Sequence, residues 1–358
     1  MNSLKNRKKI LKVSRGWSEI EIITDKQRKE TAKAPLIISA SRATDIPAFY
    51  SEWFFNRLKK GYLKWYNPFN RKASNISFQK TRVIVFWTKN PSPIIPYLYI
   101  LDELNIGYYF LFTLNNYEKE GLEPNLPKLQ ERIEIFKKLA QRIGKEKVLW
   151  RFDPLILSEN IDIDTLINRI KNIGDQIHPF TEKLIFSFVQ ISKYKKVRDK
   201  LLRETNAFNN DNIFKAEFSE KQKREFAEKL KNLTNGWGLR ASSCAEKLDL
   251  TTYGIDDNKC IDDELIRRMF SKDKKLQASL NTGNPEPNLQ KDLFLSNKQP
   301  QKLFKDKGQR KECGCIPSKD IGQYNTCMHF CAYCYANANK QSTLRNFRLH
   351  DPEKETIY

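Results

Sequence analysis

Three cysteines fall within eight residues near the end of the chain, in the stretch CMHFCAYCYAN that begins at Cys327. Cys327, Cys331 and Cys334 form C-x3-C-x2-C, a spacing that lets one compact loop aim three thiolates at a common centre. A [4Fe–4S] cluster takes four cysteines when the protein closes every iron. Three would leave one iron open to a substrate or cofactor. Zinc is the alternative occupant, because a C-x-C pair beside a C-x2-C pair also builds a tetrahedral thiolate site. His329 lies inside the loop and reads as a loop side chain rather than a ligand.

Four more cysteines remain: Cys244, Cys260, Cys313 and Cys315. Four is the complement of an auxiliary [4Fe–4S] cluster, and three plus four accounts for all seven thiols. The alternatives are that one of them donates a hydrogen atom to a radical, or that they bind nothing. With only three histidines, His178, His329 and His350, no Ser-His-Asp or Cys-His nucleophile arrangement is credible.

The setting of these thiols follows from composition. The chain has 358 residues, 39% hydrophobic and 12% aromatic, so it can bury a large core. Its net charge is +21, which suits polyanionic partners such as DNA or RNA. A general enrichment in Lys, Asn and Ile accounts for the same charge without any ligand. Neither a signal-peptide pattern nor a run of about 20 apolar residues is present, so the expectation is a cytoplasmic protein with no membrane partner. In that compartment clustered thiols bind metal or do chemistry more often than they form disulfides.

The elements that would position such a site recur along the chain. Six short apolar, β-branched and aromatic runs read as strands: LIISASR, RVIVFWTKN, YYFLFTLNN, KVLWRFDP, KLIFSFVQ and GWGLRASSC. Helix-like stretches separate them, among them 128–143, 164–177 and the very polar 219–232. Strand–helix alternation with nearly continuous apolar strands predicts a parallel sheet covered by helices, and specifically a partial TIM-like β/α barrel. Each run turns polar at its end, and in a barrel those ends meet at one mouth. The candidate active-site residues there are Arg42, Asp45, Lys89, Asn115, Arg151, Asp153 and Arg240. Arg151 and Asp153 lie two apart on one strand, so they share a face; they either serve a substrate or simply pair with each other.

The expected organisation is a basic extension over 1–35, a β/α core over 36–270, a polar surface excursion over 271–311, a cysteine-rich segment over 312–340 that completes the barrel, and a tail over 341–358. Trp53, Trp65, Tyr66, Phe69 and Trp87 could stack bases, although most such rings belong to a core. The best exception is KWYNPFN, where an Asn-Pro break places aromatics on a loop.

The cysteine segment resembles the signature of the radical S-adenosylmethionine (radical SAM) superfamily. Tyr333, just before the third cysteine, matches the aromatic residue that packs against adenine there, and DIGQYNT over 320–326 resembles the strand that leads into the cluster loop. The resemblance implies a [4Fe–4S] cluster at Cys327, Cys331 and Cys334, S-adenosyl-L-methionine as cofactor, a 5′-deoxyadenosyl radical, and an electron donor such as a flavodoxin or ferredoxin. In that superfamily the loop follows the first strand; here it follows six. Circular permutation reconciles the two, with 320–326 taking the first strand's place beside LIISASR and with Ser39 and Ser41 facing the cofactor. The substrate would be a nucleic acid that is modified or repaired, or else a peptide or small metabolite. A metal-stabilised, non-catalytic binding protein is the third reading.

The motifs SRATDIPAFY, VIVFWTKNP, VLWRFDP and KECGC, together with the cysteine loop, also resemble an uncharacterised domain-of-unknown-function family whose terminal cysteines are likened to the radical SAM motif. One departure is Phe330, where a small residue such as Gly is expected.

Overall fold

The computed structural model describes residues 13–14, 17–283, 305–306 and 308–358. In chain order its strands are β1 (Val13–Ser14), β2 (Trp17–Ile23), β3 (Lys29–Ala34), β4 (Ile37–Ala40), β5 (Tyr62–Tyr66), β6 (Ala73–Ser77), β7 (Val83–Thr88), β8 (Gly107–Thr113), β9 (Val148–Leu155), β10 (Lys183–Phe188), β11 (Arg240–Ser243), β12 (Ile255–Asp257) and β13 (Lys319–Asp320). Eight of them form one all-parallel sheet in the order β12-β11-β10-β9-β8-β7-β4-β13. No hydrogen-bonded pairing joins its two edges among the described residues.

Both faces of this sheet are covered, which is why its strands read as unbroken apolar runs. Ile38, Phe86, Phe110, Trp150 and Phe186 pack on one side against helices α2 (Ser51–Lys60), α4 (Leu129–Ile143), α5 (Ile163–Ile177) and α7 (Glu220–Trp237), which follow the short α1 (Ile46–Phe49) and flank α3 (Leu98–Glu103). Residues one step out of phase, Ile37, Val85, Leu111, Leu149 and Ile185, pack on the other side. There they meet α8 (Asp263–Met269) and α9 (Lys274–Thr282), which come after α6 (Lys195–Glu204), together with Cys260, Cys313 and Cys315. The polar sequence of α7 forms a helix because its amphipathic stripe buries Phe226, Ala227 and Leu230. Its start is fixed by a capping box between Ser219 and Gln222.

Three stretches carry more structure than expected. Residues 17–34, anticipated as a basic extension, contain the antiparallel β2–β3 hairpin of a second sheet, ordered β1-β2-β3-β6-β5. The signal was present in WSEIEII, whose alternate residues are buried. Within the anticipated excursion 271–311, residues 274–282 form α9, with Leu276 and Leu280 buried; 284–304 and 307 lie outside the described residues. The anticipated tail contains α10 (Lys340–Arg348), and the residues after it dock back. Trp53 Nε1 donates to the Lys354 carbonyl at 3.0 Å, and Ile357 is buried.

Arg57 ties these parts together. Its guanidinium is fully buried, makes a two-pronged bond to Asp25 at 2.6 and 3.2 Å, and donates to the carbonyls of Tyr62 and Glu353. The Arg57 side chain holds the Asp25 carboxyl below its ordinary range, against partial desolvation. A lowered folded-state value means this stabilisation is present above the ordinary carboxylate range and is lost as pH falls through the folded value. Asp25→Asn is expected to cost about 1–3 kcal/mol in urea unfolding at neutral pH, because it leaves the buried cation short of its counter-charge. The difference between the two proteins should shrink on acidification.

Candidate active site

The parallel strands deliver their C-terminal ends to one cavity of about 640 Å³, and all seven cysteines border it. Their convergence is a product of topology. β13 lies parallel to β4, with Lys319 opposite Ile38 and Asp320 opposite Ser39. The segment that leads into the cysteine loop therefore runs beside LIISASR. It is a strand for only two residues; 321–326 is irregular.

The loop 327–334 is held by groups that reach in from distant elements and capture its carbonyls. Lys200 Nζ donates to Cys331 O at 2.7 Å, Asn337 Nδ2 to Cys327 O at 2.6 Å, and Asn125 Nδ2 to Met328 O at 2.9 Å. Tyr50 donates to Thr326 O at 2.6 Å, just before the loop. Phe330 has φ +53°, which explains why a Gly-like residue suits this position: the left-handed region crowds any Cβ. Gly322 is constrained in another way, since a Cβ there would lie 2.0 Å from Ser41 Oγ. Burial pushes the Cys331 thiol up to about 12, with nearby Lys89 acting in the opposite direction.

His329 is not free to act as a ligand through Nε2. That atom lies 2.7 Å from Asp45 Oδ2 in a buried pair, and the ring packs against Phe49. Asp45 is in turn an anchor. Its carboxylate accepts from Ala48 N at 3.0 Å as the cap of α1, and from Lys89 N at 2.7 Å. Its acidic character thus holds the cysteine loop to the ends of β4 and β7.

Tyr333 was expected to present its ring to a cofactor. The ring borders the cavity, but the hydroxyl is locked in a buried network. Lys89 Nζ donates to Tyr333 Oη at 2.9 Å and to Glu123 Oε1 at 2.6 Å; Asn115 Nδ2 donates to the same two oxygens at 3.1 and 3.2 Å; and the Tyr333 hydroxyl donates to Glu123. Burial would raise the pKa of Glu123, but Lys89 and Arg132 outweigh it and hold the carboxyl below its usual range. Glu123 escaped sequence reasoning. It sits in an irregular loop with no motif around it, and only the fold brings it under Tyr333.

The remaining expected residues divide. Arg42 lies over the Trp87 ring at 4.7 Å, donates to Ser39 Oγ at 3.2 Å, and keeps Nη2 buried without a partner. Ser39 also donates to Asp320 at 3.0 Å and so supports the β4–β13 junction rather than bordering the cavity. Ser41 accepts from Ala43 N at 2.8 Å. Arg151 and Asp153 pair with each other, and Ser187 donates to Asp153. Arg240 is misplaced by the expectation. It begins β11 instead of ending it, so it lies exposed at the opposite end of the sheet, beside His178 and Trp237. Among the aromatics, Trp53 is core, whereas Phe69 stands 86% exposed at the β5–β6 turn and borders the cavity.

The four other cysteines gather on the cavity wall beneath Arg151. Cys244 and Cys260 place their sulfurs 3.7 Å apart, and Cys315 Sγ accepts from the Cys260 and Ile261 amides at 3.2 and 3.4 Å. Among the described residues, no three His, Cys, Asp or Glu side chains close around a position for a single ion. Nor does any helix among them have the length and apolarity to cross a membrane.

Residues 37–336 match the family model described as Domain of unknown function (DUF1848). The chain belongs to the DUF1848 family. The match spans the whole parallel sheet and the cysteine loop, so the cavity is a property of the DUF1848 region itself. No curated protein matches the chain. Among solved structures it is similar to a candidate alpha-L-fucosidase from Bacteroides thetaiotaomicron VPI-5482, at 12% identity and a TM-score of 0.22. That similarity covers 48% of this chain and 64% of the other, less than two thirds of its length, and carries no argument about activity.

Proposed function

We propose that this DUF1848 chain is a radical SAM enzyme whose Cys327, Cys331 and Cys334 hold a [4Fe–4S] cluster with one open iron. The supporting observation is the placement of the C-x3-C-x2-C loop, separated by six residues from β13, which pairs with β4, on a cavity lined by strand C-terminal ends. We read the eight parallel strands as an open, circularly permuted β/α barrel in which β13 takes the first strand's place. When bound, such a cluster would supply one electron to the sulfonium of S-adenosyl-L-methionine, breaking its C5′–S bond to give methionine and a 5′-deoxyadenosyl radical.

The chain's own groups do the rest. The loop carbonyls are held by Lys200, Asn337 and Asn125, contacts that do not use the sulfurs. The unpartnered Nη2 of Arg42 is a donor suited to a carboxylate or phosphate. The apolar wall formed by the Tyr333 ring, the Trp87 ring and the Phe188 side chain keeps water from a reactive intermediate.

For the substrate, the reading is a nucleic acid. Phe69 offers an exposed ring at the cavity lip, Arg71 and Lys72 follow it on the same exposed turn, and the chain carries a net charge of +21. Stacking on such a ring contributes about 1–3 kcal/mol per base. Phe69→Ala is therefore expected to weaken single-stranded oligonucleotide binding about 5- to 150-fold, read by fluorescence anisotropy, while iron content stays unchanged. An unchanged affinity would favour the second reading, a peptide or small metabolite, for which a cavity of about 640 Å³ is of ordinary size.

The deciding experiment is anaerobic reconstitution followed by iron, sulfide and zinc analysis, then incubation with S-adenosyl-L-methionine and dithionite. Release of 5′-deoxyadenosine supports the proposal. A colourless protein holding only zinc would replace it with a metal-stabilised binding protein.

A further inference from the structure

Cys244, Cys260, Cys313 and Cys315 come from three separated parts of the chain: the end of β11, the approach to α8, and the segment 308–316. Three are buried and Cys244 is half-buried. Buried cysteines are commonly inert apolar filler. These four border an apolar cluster under the sheet, but their sulfurs also meet polar groups.

Cys260 Sγ receives Arg151 Nη1 at 3.3 Å and Asn258 Nδ2 at 3.3 Å. Neither a guanidinium nor an amide nitrogen can accept, so the sulfur is the acceptor in both bonds. Cys315 Sγ likewise receives the two backbone amides of Cys260 and Ile261. Four N–H donors thus aim at two sulfurs. A thiol accepts weakly; a thiolate accepts strongly.

Three guanidinium groups line the same cavity as the set. Arg151 donates to Cys260, and Arg42 and Arg310 border that cavity with all four cysteines. Asp153 pairs with Arg151, and Asp320 lies close to Arg42. Even so, Arg151 Nε and Arg42 Nη2 stay buried with no partner. Buried positive charge in excess of its carboxylates needs a further anion. The four cysteine sulfurs on the same cavity wall can supply it as thiolates.

We infer that Cys244, Cys260, Cys313 and Cys315 ligate a second [4Fe–4S] cluster on the same cavity as the C-x3-C-x2-C loop. Four protein ligands close all four irons, so this centre offers no open coordination position. The N–H···S bonds and the arginines offset the charge of its thiolates, as such clusters require. A single zinc ion is the competing occupant. A tetrahedron with bonds of about 2.3 Å has an edge of about 3.8 Å, which the 3.7 Å between the Cys244 and Cys260 sulfurs matches, so iron and zinc analysis decides between the two.

The inference does not rest on the proposed function, and one variant separates them. The triple variant C327A/C331A/C334A removes the first loop's thiols and leaves these four untouched. After anaerobic reconstitution it is expected to hold about four iron and four sulfide per chain, against about eight of each in the parent protein. Adding C260A and C315A should remove the remainder, with circular dichroism showing whether the fold persists. An iron-free or zinc-only triple variant overturns the inference. If the parent holds about four iron and the triple variant none, the second cluster fails and the first stands. If both hold the same four, the first fails and the second stands. Should the triple variant not fold, Cys260→Ser in the parent decides the matter: an altered electron paramagnetic resonance spectrum of the reduced protein supports the second cluster, and an unchanged spectrum overturns it.

Discussion

Cys331→Ala is expected to lower the iron content of the reconstituted protein by about four atoms per chain and to reduce 5′-deoxyadenosine formation to background. Cys331 is the central thiol of the loop, buried, and its carbonyl is gripped by Lys200. Its backbone is positioned without any contribution from the sulfur, so removing the sulfur should leave the loop in place. His329→Asn separates ligation from positioning. Because His329 Nε2 is committed to Asp45, this variant should retain its iron and show only slower reconstitution or looser substrate binding. Iron loss in His329→Asn equal to that in Cys331→Ala would show that the histidine ligates, and the loop assignment would need revision. Full iron retention in Cys331→Ala would remove the first cluster from this site.

The second large effect concerns Glu123. Its carboxylate faces Lys89 at 2.6 Å and Arg132 at 3.9 Å, and all three side chains are largely withdrawn from water. Glu123→Ala leaves buried Lys89 without its counter-charge, Arg132 with Glu118 alone at 3.9 Å, and Tyr333 without its acceptor. Breaking one side of a buried pair in this way costs about 3–5 kcal/mol. The measurement is urea unfolding of the metal-free protein, where cluster loss cannot contribute. Glu123→Gln keeps the shape and an acceptor oxygen but not the charge, so it should recover part of the loss. A change below about 1 kcal/mol for Glu123→Ala would mean the network behaves as a solvated surface pair, and its role in holding Tyr333 would fall with it. Lys89→Met is the reciprocal variant; it leaves Glu123 with Arg132 and should cost less than removing the acid.

The two variants probe different layers of one site. On the proposed reading the cysteines define what can bind. The Lys89–Asn115–Glu123–Tyr333 network and the Asp45–His329 pair define where the loop stands relative to the strand ends. Several residues singled out by their chemistry thereby hold the loop in place. Asp45, Lys89 and Asn115 are spent on Ala48, His329, Glu123 and Tyr333, whereas Arg42 retains an uncommitted nitrogen.

What the sequence by itself determined was local. Continuous apolar runs made parallel strands legible, because a strand buried on both faces has no polar phase to confuse it. Side-chain alternation put Arg151 and Asp153 on one side of their strand, the polar strand ends marked Lys89 and Asn115, and the C-x3-C-x2-C spacing marked a loop built to gather thiols. The hairpin over 17–34 was equally local, written in the alternation of WSEIEII. Tertiary structure decided everything that depends on chain separation. Cys244, Cys260, Cys313 and Cys315 come together only because α8 and residues 313–316 pack on one face of the sheet. Glu123 reaches Tyr333 across 210 positions of sequence, and Asp45 reaches His329 across 284. Arg240 shows the same limit from the other side. Its position near a strand was readable, but which end it occupied depended on where β11 begins to pair with β10, and pairing is set by a neighbouring strand, not by the residue itself.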